Sequence, residues 1–186
     1  MLSILADRTY RHLFLAQVVA LLGTGLATVA LGLLAYDLEG GDAGLVLGMI
    51  FTIKMVAYVG IAPIAGAFVD KLRRRTLLVT LDLVRAGVAL ALPFVTEVWQ
   101  VYILIFLLQS ASAAFTPTFQ ATIPDVLPEE ARYIRALSLS RLAYDLENIV
   151  SPVLAGLFLA LMSYNALFLG TVVGFLASAV LVSTAE

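Results

Sequence analysis

Runs of roughly 20 apolar residues, separated by short charged or turn-rich segments, fill this chain from end to end, and they constrain its fold more than any other feature. A helix of that length covers the hydrocarbon core of a bilayer, where every backbone polar group must be satisfied internally. The runs predict six spans, over about 13–34, 44–69, 76–95, 100–119, 138–161 and 167–182. Of the 186 residues 62% are hydrophobic and 13% charged, with a mean hydropathy of +1.03, more apolar surface than a soluble core of this size requires. The expectation is an all-α polytopic membrane protein, a six-helix bundle forming one transmembrane domain over residues 1–186. The first run follows Asp7, Arg8 and Arg11 and is too long for the apolar region of a cleavable signal.

The charges between the runs orient the bundle. Arg8 and Arg11 precede the first span, Lys71, Arg73, Arg74 and Arg75 separate the second and third, and Arg132, Arg135 and Arg141 lie between the fourth and fifth or at the fifth's edge. All of these fall on one side. The opposite connections hold Asp37, Glu39, Asp42 and Glu97 and no cation. Cations concentrate on the cytoplasmic face, so both termini are expected in the cytoplasm. The stretch with Pro128, Glu129 and Glu130 suits the first turn of a short helix between spans 4 and 5. Tyr164 and Asn165 suit a tight turn between spans 5 and 6.

Chemistry of the enzymatic kind is not encoded. There is no cysteine, and the single His12 cannot build a metal site alone. No His-Glu-x-x-His, Gly-x-Ser-x-Gly or phosphate-binding Gly-rich loop occurs. The chain is expected to be no enzyme, to need no cofactor or metal, and to bind no nucleic acid.

Polar residues deep in the apolar runs need a reason, because a charge at mid-bilayer costs about 2.5–3.5 kcal/mol on insertion scales. Lys54 sits about 15 Å from either end of span 2, and Glu147 about 13 Å into span 5, at 1.5 Å per residue. Their depths match, so they are candidates for one aqueous site. A structural ion pair, or a lysine that snorkels, is the plainer alternative. Around Glu147, the run Arg141-Leu-Ala-Tyr144-Asp145-Leu-Glu147-Asn148 adds Tyr144 and Asp145 as candidates, with Arg141 and Asp145 spaced to pair along one helix. Gln109 is a mid-depth candidate in span 4. Asp82 and Arg85 are spaced to neutralise each other on span 3, and a structural link to the basic loop is the favoured reading. Gly23, Gly25, Gly156, Gly170 and Gly174 are expected at close helix crossings.

Gly66-x-x-x-Asp70-Lys71-x-x-Arg74-Arg75 resembles the signature loop between helices 2 and 3 of the major facilitator superfamily, whose pattern is Gly-x-x-x-Asp-Arg-x-Gly-Arg-Arg/Lys. Lys71 replaces the first Arg, and Arg73 replaces the second Gly, which adopts positive φ easily. In span 4, Gln109 and Ser110 stand at the family's Gln-Gly pair, but Phe106 occupies the place of its Arg, which weakens the case for proton antiport by the usual route. Ser151-Pro152-x-x-Ala155-Gly156 is similar to the antiporter motif Gly-Pro-x-x-Gly-Gly of helix 5, with Pro152 freeing the carbonyl of Asn148 and bending the helix.

The resemblance covers the whole chain as the first half of a twelve-helix fold. It implies alternating-access secondary transport of a small solute, with helices 1, 2, 4 and 5 around the path. The nearest likeness is to exporters of drug-like or siderophore-like compounds in the bacterial cytoplasmic (inner) membrane. Gly66, Asp70, Lys71, Arg74 and Arg75 would latch the inner face, the cations also meeting anionic headgroups. The partners implied are the solute, the lipid bilayer, and a C-terminal six-helix half or a second copy. The chain would be a fragment, a truncated product or a half-size protein that pairs. The alternative is a non-transporting six-span scaffold or assembly partner.

Overall fold

A computed structural model describes residues 2–185, and among these all regular structure is helical. The α-helices are α1 (Arg8–Glu39), α2 (Ala43–Phe68), α3 (Arg74–Ala91), α4 (Val98–Val126), α5 (Glu130–Leu159) and α6 (Tyr164–Thr184). Five segments are long and apolar enough to cross a membrane; the first, Arg8–Lys71, is 64 residues long and contains both α1 and α2. The break inside it falls at Gly40, where φ is +49°, a conformation that only glycine adopts cheaply.

Local chemistry sets several helix ends. Asp7 caps α1 by accepting from the Tyr10 amide at 2.9 Å. Glu97 opens α4 with a reciprocal capping box, its side chain accepting from the Gln100 backbone while the Gln100 side chain accepts from the Glu97 amide. Arg73 has φ −70° and ψ 102°, so the family's second glycine position needs no left-handed backbone here, and an arginine fits without strain.

Some expected boundaries move. There is no separate short helix before span 5. α4 continues through Pro117 and Pro124 to Val126, and Pro128 lies in the brief connection to α5. Glu129 and Glu130 do begin a helix, but that helix is α5 itself, running on without a break to Leu159. Tyr164 and Asn165 form no turn. They start α6, and the Tyr164 hydroxyl donates to Asp37 Oδ2 at 2.5 Å, tying α6 to the end of α1.

α1 packs along α6, α5 and α2; α4 packs against α2 and α3; and α3 also packs on α6. Two apolar clusters fill the bundle. One, with Leu34, Val46, Leu92 and Val101, lies toward the α1–α2 turn. The other, with Tyr10, Leu78, Ile123 and Leu127, lies toward the N-terminus and the α2–α3 loop. Buried polar side chains (Gln17, Asp82, Arg85, Ser112, Ser140, Thr171 and Ser178) complete the interior. Among them Ser140 donates to Gln17 Oε1 at 2.8 Å, joining α5 to α1.

Glycines make the α1–α6 crossing close. A Cβ on Gly174 would lie 3.1 Å from the Val19 carbonyl, and one on Gly23 would lie 3.2 Å from the Thr171 carbonyl. A Cβ on Gly170 would meet Leu26 at 3.2 Å. Gly156 is different. It is exposed with open space where a Cβ would stand, so it serves no crossing here.

Candidate functional site

A cavity of about 210 Å³ opens between α1, α2, α4 and α5, with α3 reaching its wall. Its charged lining residues are Lys54 on α2, Arg85 on α3 and Glu147 on α5. Hydroxyl and amide groups from Gln17, Tyr58, Thr116, Tyr144 and Asn148 complete the polar wall. The Thr116 and Tyr144 hydroxyls lie 3.3 Å apart, a hydrogen bond across α4 and α5. The Asn148 side chain donates to the Tyr144 carbonyl at 3.0 Å.

Lys54 and Glu147 therefore line one cavity, as their matched depths suggested. They make no ion pair within 4.0 Å among the described residues, where such pairs are Arg74–Asp70, Arg74–Asp125 and Arg85–Asp82. A lysine and a glutamate share a polar chamber without neutralising each other at contact. Each retains hydrogen-bonding capacity toward a third group.

The other candidates divide. Tyr144 lines the cavity. Asp145 is exposed, is absent from the cavity wall, and forms no ion pair with Arg141. Residues two apart on a helix point about 200° apart, so Glu147 facing inward turns Asp145 away. Gln109 is buried but lies beside a separate void of about 20 Å³, next to Thr28, Phe51 and the same Lys54. Pro152 sits inside α5 on its exposed side.

Arg85 pairs with the fully buried Asp82, as their spacing suggested, but the pair makes no ion pair or hydrogen bond to the basic loop among the described residues; Arg85 is 4% exposed and reaches the cavity. Its guanidinium lies between the rings of Phe115 and Phe175, 4.2 and 4.5 Å from their centroids. Ser178 on α6 donates to the other Asp82 oxygen at 2.6 Å. The i, i+3 spacing showed the pair. The two rings that hold it come from α4 and α6, and no local pattern signals them.

At the rim, the α2–α3 loop is tied to the end of α4. Arg74 donates to Asp70 Oδ1, to Asp125 Oδ2 and to the Ala121 carbonyl, each at 2.5 Å. Lys71 lies over the Phe68 ring at 5.0 Å. Arg75 points elsewhere, beside Thr9, Leu78 and Val182. Gly66 approaches Pro117, where a Cβ would come within 3.9 Å.

A sequence profile described as Major Facilitator Superfamily matches residues 13–185. The chain is 27% identical over 171 residues to a protein of Bacillus subtilis named "Uncharacterized MFS-type transporter YfiS", covering 91% of this chain and 40% of that one. It is 27% identical over 163 residues to "Macrolide efflux protein A" of Streptococcus pyogenes, covering 85% and 40%. Identity to "Multidrug resistance protein MdtG" of Enterobacter lignolyticus is 26% over 180 residues, covering 96% and 43%. The chain thus spans about two fifths of the length of these relatives.

Proposed function

The chain belongs to the major facilitator superfamily, and on that premise we propose that residues 1–186 form the N-terminal, six-span domain of a secondary active transporter. The domain supplies one wall of a solute path and works by alternating access against a C-terminal six-helix half or a second copy. The direction is export from the cytoplasm of drug-like or siderophore-like compounds, a reading supported by the efflux and multidrug names of the relatives. The observation that carries the proposal is the polar cavity between α1, α2, α4 and α5, with Lys54 and Glu147 on its wall and no ion pair between them within 4.0 Å. A scaffold has no use for two half-buried charges in the membrane that form no ion pair at contact, since partial burial of an unpaired charge is unfavourable.

The test is steady-state accumulation of a panel of labelled drug-like and siderophore-like solutes in cells that express this domain together with its second half. At least one solute should accumulate less than in control cells, and collapsing the ion gradients should abolish the difference. If no solute changes, the non-transporting scaffold is the correct reading.

Both termini should face the cytoplasm. The chain has no native cysteine, so single cysteines at positions 42 and 74 report sidedness directly. An impermeant thiol reagent added to intact cells should label position 42 and spare position 74. The reverse pattern would overturn the topology.

The loop cluster around Arg74 acts as a latch in this reading. Its pairs are partly solvated, with the Asp70 and Asp125 side chains 75% and 60% exposed, so Arg74→Ala should cost only about 1 kcal/mol of stability. Asp70→Asn should slow transport while leaving solute affinity within a few-fold, because Asp70 lies at the rim. A large loss of affinity at an unchanged maximal rate would contradict the latch.

A further inference from the structure

We propose that the small void beside Lys54, between α1, α2 and α4, binds one monovalent anion of halide size, which supplies Lys54 with a counter-charge. The site is separate from the solute cavity, and it does not depend on the transport reading.

The void holds about 20 Å³, room for one particle about the size of a water. Three polar residues reach its wall: Thr28 of α1, Lys54 of α2 and Gln109 of α4. The rest of the wall is apolar and includes Leu31, Leu47 and Ile50. No acidic residue lines it. Lys54 stands near the middle of α2, too far from either end for its ammonium to reach the interface with ease. It also lines the polar cavity, so this one side chain separates the two spaces.

Three observations fix the class of occupant. First, Lys54 has no carboxylate within 4.0 Å among the described residues. Glu147 lies on the wall of the polar cavity and not on that of the void. A half-buried ammonium at this depth gains most from an anion brought into contact with it. Second, Gln109 is 7% exposed, and its side chain makes no hydrogen bond to another residue among those described. A buried amide without a partner is costly, and its NH₂ group can donate to whatever fills the void. Third, the Thr28 hydroxyl already donates to the Thr24 carbonyl at 3.0 Å. The available donors are therefore the ammonium of Lys54 and the amide of Gln109.

A metal cation would meet the charge of Lys54, and a polyatomic head group exceeds the volume. The fitting occupant is a single negative atom that accepts hydrogen bonds. The apolar part of the wall offers nothing in exchange for lost hydration, so bromide and chloride should bind better than the strongly hydrated fluoride. Water is the alternative occupant. It would satisfy Gln109 but bring no charge to Lys54, and the void would then be indifferent to halide.

The experiment uses the purified chain in nanodiscs of zwitterionic lipid and reads the ³⁵Cl magnetic-resonance linewidth of chloride, with the broadening from empty nanodiscs subtracted. Chloride should be broadened by the chain, and bromide should displace it at lower concentration than fluoride does. Exposed arginines and lysines contribute a background, which Lys54→Gln leaves in place while removing the broadening due to the void. Gln109→Leu should weaken the chloride affinity by about tenfold, the worth of one hydrogen bond to a charged group. Thr28→Leu, which fills the void and leaves Lys54 intact, should remove the same component as Lys54→Gln. Helicity and monodispersity of each variant establish that it is folded. Broadening equal in the unaltered chain, Lys54→Gln and Gln109→Leu overturns the proposal and assigns the void to water alone. Loss in Lys54→Gln with full broadening kept in Thr28→Leu also overturns it, because the anion then meets Lys54 from the polar cavity.

Discussion

Asp82→Leu should destabilise the chain by about 3–5 kcal/mol, the largest effect expected from any single substitution here. Asp82 is fully buried and Arg85 is 4% exposed, so removing the carboxylate leaves a guanidinium in a low-dielectric interior without its counter-charge. It also strands the Ser178 hydroxyl, which donates to the same carboxylate. The flanking rings of Phe115 and Phe175 soften the loss but cannot replace a full negative charge. Replacing both partners, as Asp82→Leu with Arg85→Met, should recover most of the stability, because an apolar pair of similar volume is often neutral or better at a buried ion pair. Unfolding in mixed micelles, followed as a double-mutant cycle, measures this. A single-variant loss below about 1 kcal/mol, within the range of exposed pairs, would contradict it. So would a double variant whose loss equals the sum of the singles.

Lys54→Gln and Glu147→Gln should each lower transport by about 10–100-fold, the range for one charged hydrogen bond of roughly 1.5–3 kcal/mol. Their stability effects should be small and nearly additive, with a coupling below about 1 kcal/mol, because the two share a cavity without an ion pair at contact. The double variant should not regain transport. Recovery of transport in the double variant would mean that the two charges only balance each other. A coupling of several kcal/mol in membrane-inserted yield would mean that they pair closely in the membrane.

The distribution of what could be read from residues follows from where each signal resides. The helices were legible because hydrocarbon imposes a length and a composition on each one. Their ends were less so, since hydropathy reports depth in the membrane and not where hydrogen bonding stops. α4 therefore runs on as helix past Phe119 to Val126, and α5 starts at Glu130, well before its apolar stretch. Within the site, depth arithmetic was enough to bring Lys54 and Glu147 to one cavity. That Asp145 turns away from the cavity lined by Glu147 was also available from helical periodicity, since the two cannot face the same way. Arg85 was different. Which side of α3 faces inward depends on α4 and α6, whose Phe115 and Phe175 are far away in sequence. Gly156 shows the converse limit, because a glycine in an apolar run marks a close crossing only where another helix is present.

The central claim is that the cavity between α1, α2, α4 and α5 is the solute path. With the chain expressed beside the second half proposed for it, a single cysteine at Thr116, on the cavity wall, can be compared with one at Val173, which is 65% exposed on α6. A bulky methanethiosulfonate reagent should abolish transport at position 116, and transported solute should slow that inactivation. The same treatment at position 173 should leave transport unchanged. Full transport after complete modification at position 116 would contradict the account.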